Sequence, residues 1–94
     1  MEFFQIEDIV KNELIKHLKL DKDYFTKYSN NGNNLYLMHD LGCDLLDRYK
    51  ILNAIEKKCG ILIPDDDVIW NNDLTIYQYI DSILKNIKSN KYEY

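Results

Sequence analysis

Two cysteines, Cys43 and Cys59, are the whole thiol complement of this 94-residue chain. They form no framework of the kind that staples small secreted domains, so both are expected as free thiols in a reducing cytoplasm. Long apolar runs are missing as well: none approaches the roughly 20 residues that a bilayer span needs. Glu2, Glu7 and Asp8 stand where a secretory leader would need basic residues and then an apolar stretch. No leader and no membrane contact are therefore expected, and the expected location is cytoplasmic. An excess of basic charge is also lacking. The net charge is −4 with an isoelectric point near 5, and a nucleic-acid partner is not expected, because a phosphate backbone asks for a basic surface. The sequence shows no internal repeat, low-complexity tract or second set of elements. The expectation is one domain over residues 1–94, as a monomer, with its core in about 4–87 and a polar frayed tail at 88–94.

Catalytic signatures are equally scarce. The chain carries no Ser/His/Asp or Cys/His constellation, phosphate loop or paired-carboxylate site. His39 and Cys43 are four apart and either could ligate zinc, but no second pair stands at a fitting spacing, so a structural role is expected. His17 is expected at a partly exposed surface. Asp65-Asp66-Asp67 lacks the alternating ligands and glycine of an EF-hand loop and reads as a helix start. No catalytic centre, no metal and no enzyme activity are expected.

Helical periodicity is what the chain does have. Ile6, Ile9, Val10, Leu14 and Leu18 share one face of a first helix over about 4–19. Leu20 and Phe25 flank the polar turn 21–23 and are expected to tuck onto the core. Ser29-Asn30-Asn31-Gly32-Asn33-Asn34 reads as an exposed turn, since Asn and Gly tolerate left-handed backbone. Leu35, Leu37 and Leu41 then return to the core. A second helix is expected from Leu45 to Cys59, with Ile51, Leu52, Ile55 and Cys59 inward. Asp44 stands at its N-cap, Asp47 in its first turn and Gly60 as its stop. Ile61-Leu62-Ile63 could pass for a strand, but its isolation and Pro64 argue against a sheet. A short third helix is expected over about 65–70, with Pro64 and the three aspartates at its start and Trp70 near its end. Thr75 and Gln78 form a capping box for a last helix with Ile76, Ile80, Ile83, Leu84 and Ile87 on one stripe and Tyr79 beside it. The fold class read from this is all-α, a small four-helix bundle: three longer helices, one short helix and a long first connection.

The stretch Asp40-Leu41-Gly42-Cys43-Asp44-Leu45-Leu46-Asp47 resembles the motif Asp-Leu-Gly-x-Asp-Ser-Leu-Asp of acyl carrier proteins. The resemblance extends through Glu56, Ile63-Pro64-Asp65 and Thr75 to Ile80-Asp81, in order and at fitting spacing, and covers about Ile6 to Ile87. It implies the acyl-carrier type of bundle, in which the Asn run lengthens an already long first loop. It also implies a 4′-phosphopantetheine arm on the motif serine, and a place in fatty-acid or polyketide-type biosynthesis.

Two departures alter that implication. Leu45 stands at the serine position, and a leucine has no oxygen to attack the pyrophosphate of coenzyme A. Ser29, Ser82 and Ser89 are far from the start of the second helix; Cys43 is near but outside the position that the transferase reads. The second departure is charge. The family's second helix is acidic, whereas Asp47 to Lys58 here holds four cations, Arg48, Lys50, Lys57 and Lys58, against two acids, Asp47 and Glu56. Lys57 and Lys58 suit the helix C-terminus; Arg48 and Lys50 lie near the positive end of the dipole, which does not favour them. The expected function is a non-enzymatic, carrier-like interaction module without phosphopantetheine. It would meet a protein partner through Leu45, Arg48, Tyr49 and Lys50, with motif residues Asp44, Leu46 and Asp47 framing them. The alternatives are a working acyl or peptidyl carrier with a non-standard attachment, and a small inhibitor or immunity-type binding protein on the same fold.

Overall fold

The computed structural model describes residues 2–63 and 73–90, the last four of these in backbone only. Three α-helices carry the architecture: α1 (Phe3–Leu18), α2 (Leu45–Cys59) and α3 (Ile76–Asn90). Two short turns lie between α1 and α2, a 3-10 turn at Phe25–Lys27 and a second at Ser29–Gly32. The domain is thus compact and all-α among the described residues, a small helical bundle with three main helices. The short helix expected over 65–70, with Pro64, Asp65, Asp66, Asp67 and Trp70, lies outside the described residues.

The apolar stripes make the core. Ile6, Val10 and Leu14 of α1, Ile51, Leu52 and Ile55 of α2, and Ile76, Tyr79, Ile80 and Ile83 of α3 are buried together. Phe25, Leu37, Cys43 and Leu74 join them from the connections, while Leu20, Leu35, Leu41 and Cys59 pack half-buried at the margin. One charge stands in the α1 stripe: Glu13 is buried, with His17 Nε2 at 3.4 Å and Lys58 Nζ at 3.7 Å, so it ties α1 to α2.

Local chemistry sets the ends of each helix. Lys19, in left-handed conformation, closes α1 one residue before the expected limit. The expected bounds of α2 hold: the Asp47 amide donates to Asp44 Oδ1 at 2.9 Å, the Asp44 amide returns the bond to Asp47 Oδ2 at 3.3 Å, and Gly60 caps the far end at φ 66°. At that far end Glu56 is used twice. Its carbonyl accepts from Gly60 and Ile61, and its carboxylate accepts from the Ile63 amide at 2.8 Å. With its polar groups so engaged, the segment 61–63 forms no strand. The Thr75–Gln78 box starts α3, with bonds of 3.0 and 3.1 Å. α3 runs on to Asn90, past the expected start of the tail at 88, and the rest of that tail, 91–94, lies outside the described residues. The apolar stripe ends earlier, but a helix stops where its backbone bonds stop, and no Gly or Pro interrupts Ile76–Asn90.

The long connection from α1 to α2 is bound to the start of α3. The Leu37 amide donates to the Leu74 carbonyl (2.9 Å), Ile76 to Leu35 (3.0 Å) and Tyr77 to Asn33 (3.1 Å), with one antiparallel bridge between Tyr36 and Thr75. The chain then turns back, with the Cys43 amide on the Leu37 carbonyl at 2.7 Å, and delivers Asp44 to the head of α2. The Asn run is only partly the exposed turn expected of it. Asn30 and Asn31 are exposed and left-handed (φ 55° and 56°), yet Gly32 is buried, and a Cβ added there would lie 2.8 Å from Phe25 Cδ1.

Candidate functional site at the head of helix α2

Asp44 and Asp47 are spent on the cap, so the first turn of α2 offers its neighbours to solvent. Leu45, the first helical residue, is 46% exposed, Leu46 60% and Tyr49 52%. Leu45 therefore stands at the surface, not folded into the core beside Leu41. Lys50 is exposed next to this group. In the loop just before, Met38 is 46% exposed, and its carbonyl accepts from the Gly42 amide at 3.0 Å, which closes a turn within that loop.

Arg48 does not belong to this surface, and the expectation that it flanks the patch is corrected. Its side chain is fully buried, with one guanidinium nitrogen 3.8 Å from Asp73 Oδ1. The reason is the helical period: Arg48 lies three and four residues before Ile51 and Leu52, on the inward stripe. That stripe was legible; the charge of Arg48 masked its membership. Asp73 is the residue that sequence reasoning missed. Besides facing Arg48, its carboxylate accepts from the Met38 amide at 2.8 Å and the His39 amide at 3.1 Å. A single acid thus joins the loop before α2 to the inside of α2. Nothing in the sequence marks it, because its partners are two amides 34 and 35 residues away. The Tyr79 hydroxyl completes the underside by donating to the Arg48 carbonyl at 3.1 Å. Burial holds that phenol far above its ordinary range.

No family model matches the chain, and no solved structure matches it.

The thiol next to the motif is inert. Cys43 is fully buried, and burial first, then the negative charge of Asp47, pushes its pKa up to about 12, against the smaller opposing effect of Arg48. It holds almost no thiolate at neutral pH and faces the core, so it is a poor nucleophile and a poor metal ligand. His39 is exposed while Cys43 is interior, and the two do not converge on one site. Among the described residues no cluster of three or more His, Cys, Asp or Glu side chains could hold a metal ion. No helix among them is long and apolar enough to cross a membrane.

A concavity lies away from the motif. A groove of about 640 Å³ runs between the outer face of α1 and the connection that follows it, lined by Phe4, Asp8, Lys11, Phe25 and Asn31 among others. Glu7, also in its lining, accepts hydrogen bonds from Lys11 Nζ (2.9 Å) and Asn33 Nδ2 (2.8 Å). Burial raises the Glu7 pKa, but these bonds outweigh it, and the carboxyl ends below its usual value.

Proposed function

We propose that the chain is a non-enzymatic interaction module of the acyl-carrier type, one that carries no phosphopantetheine and meets a protein partner at the head of α2. The observation that carries this reading is the exposure of Leu45 at the first position of a capped helix. There the motif it resembles places the arm-bearing serine, and here a large aliphatic group stands in water instead. A single exposed leucine means little. Leu45, Leu46 and Tyr49 together, with Lys50 beside them, have the make-up of a modest interface: apolar and aromatic at the centre, charged at the rim. With Arg48 turned inward, Lys50 is the cation left at this rim, and it asks for an acid on the partner. The finer architecture, a bundle of acyl-carrier type with a short helix before α3, belongs to the same proposal.

Whole-protein mass spectrometry after coexpression with a broad-specificity phosphopantetheinyl transferase tests the reading. The wild-type chain is expected to keep its unmodified mass. A pantetheine adduct on any residue overturns the armless reading. The Leu45→Ser variant is the companion: modification of the new serine would show that a transferase recognises the head of α2 as a carrier's, and absence of modification would count against the family resemblance.

A further inference from the structure

Asn31–Gly32 is the one Asn–Gly pair in the sequence. In such a pair the glycine nitrogen can reach the asparagine side chain, because no Cβ shields it. The requirement is that the backbone turn so that the nitrogen eclipses the asparagine Cβ. Here the backbone does the opposite. Asn31 sits at φ 56° and ψ 30°, which turns the Gly32 nitrogen away from its Cβ. The conformation is held from several sides. Asn30 repeats it at φ 55° and ψ 32°, and Gly32 continues it at φ 80°. Gly32 is seated on Phe25 so closely that no Cβ would fit. The Asn33 amide closes the turn on the Asn30 carbonyl at 3.1 Å, and Leu35 donates to Gly32 at 3.0 Å. Asn33 then anchors the turn to two helices, by its side chain to Glu7 of α1 and by its carbonyl to the Tyr77 amide of α3.

We propose that Asn31–Gly32 is a self-modification site locked by this left-handed turn, and that its conversion to isoaspartate releases the loop irreversibly from α1. When the turn opens, the Gly32 nitrogen loses its proton to solvent base and attacks Asn31 Cγ. The N–Cγ bond forms, the Cγ–Nδ2 bond breaks, and Nδ2 takes up a proton and leaves as ammonia, giving a cyclic imide. Water then adds to one of the two imide carbonyls. Addition at Cγ breaks the N–Cγ bond and restores the ordinary backbone with aspartate at 31. Addition at the Asn31 backbone carbonyl breaks its bond to the Gly32 nitrogen and leaves the chain running through Cβ and Cγ, as isoaspartate. Water is the only co-reactant, and nothing is oxidised or reduced.

The two products differ in what they do to the closed loop. A carboxylate at 31 joins a wall that holds the acids Glu7 and Asp8 and the cations Lys11 and Lys22, so its charge alone does not open the loop. Isoaspartate lengthens the backbone by one atom between Asn30 and Gly32, which moves Gly32 off its seat on Phe25. The turn cannot re-form around isoaspartate, and the loss of ammonia makes the change run one way. The rate is set by how often the loop opens locally, not by global unfolding.

The test is peptide mapping of the full chain held in mildly alkaline buffer, with a synthetic peptide of residues 28–35 alongside. The expected result is conversion of Asn31 at least ~10-fold slower in the folded protein than in the peptide, as local protection implies. Asn33→Ala keeps the Asn–Gly pair but removes the tie to Glu7, and should speed conversion several-fold while the circular dichroism stays helical. If that variant does not fold, wild type in urea below its unfolding transition serves instead: conversion should rise with exchange of the Leu35 amide. Conversion in the native chain as fast as in the peptide overturns the proposal. So does a rate unchanged in folded Asn33→Ala, or one indifferent to Leu35 exchange.

Discussion

At the scale of residues, the head of α2 separates into an outside and an inside that adjoin without mixing. Leu45 belongs to the outside. An aspartate there should leave stability within about 0.5 kcal/mol of wild type, because the site is exposed and an acid suits the first turn of a helix. Urea denaturation of Leu45→Asp checks this, and a large loss would place Leu45 in the core and remove the proposed interface. Arg48 and Asp73 belong to the inside. Asp73→Asn keeps an acceptor for the Met38 amide but deletes the charge opposite a buried guanidinium. Losing the acceptor of the His39 amide together with a charge beside a buried guanidinium should cost about 1–3 kcal/mol. The same denaturation experiment should therefore show a marked shift for Asp73→Asn and almost none for Leu45→Asp, although both change one unit of charge near one turn of helix.

At the scale of elements, caps and stripes explain what was legible. The bounds of α2 follow from Asp44, Asp47 and Gly60, and the start of α3 from Thr75 and Gln78, because each of these acts on amides within four residues. Ile55, placed in the core by the i, i+3, i+4 pattern, is fully buried, and Ile55→Ala should cost about 2–5 kcal/mol in urea. What was not legible is long-range. The clasp of Asp73 on Met38, His39 and Arg48, and the burial of Glu13 between His17 and Lys58, depend on which helix lies beside which. A polar residue at an inward position carries no sequence signal of the partner that satisfies it. The Asn run shows both sides of this. Its left-handed geometry follows from Asn and Gly, but its docking on Phe25 does not. Gly32→Ala tests the docking: a Cβ at positive φ and 2.8 Å from Phe25 Cδ1 should destabilise by about 1–3 kcal/mol. At Gly42, also at positive φ but with open space around it, alanine meets only the backbone penalty and should cost less.

At the scale of the whole molecule, the packing of three helices creates a proton-linked stability that no single helix has. Cys43, from the loop before α2, and Tyr79, from α3, are both fully buried, and the Tyr79 hydroxyl donates to the Arg48 carbonyl. Burial raises both pKa values above those of the free groups, 9.0 for the thiol and 10.0 for the phenol, and Cys43 reaches about 12. Above pH 9 the unfolded chain therefore gives up protons that the folded chain retains. Because the folded state then binds more protons, its stability must fall as pH rises. The stabilisation from Cys43 is complete below about pH 9 and is lost progressively up to about pH 12, with Tyr79 extending the decline from above pH 10. Glu7 acts on the opposite limb. Its carboxyl is held below 4.5, so its contribution is present above that pH and fades as acid protonates it in the folded chain. Melting temperatures measured from pH 3 to pH 11 should give a plateau with a fall at each end. Cys43→Ala lowers the plateau through lost packing, but it should also flatten the fall between pH 9 and pH 10, leaving the smaller contribution of the half-buried Cys59, since thiols act there before the phenol. A variant whose alkaline limb keeps the wild-type slope in that window would show that Cys43 is not the group linking folding to protons there.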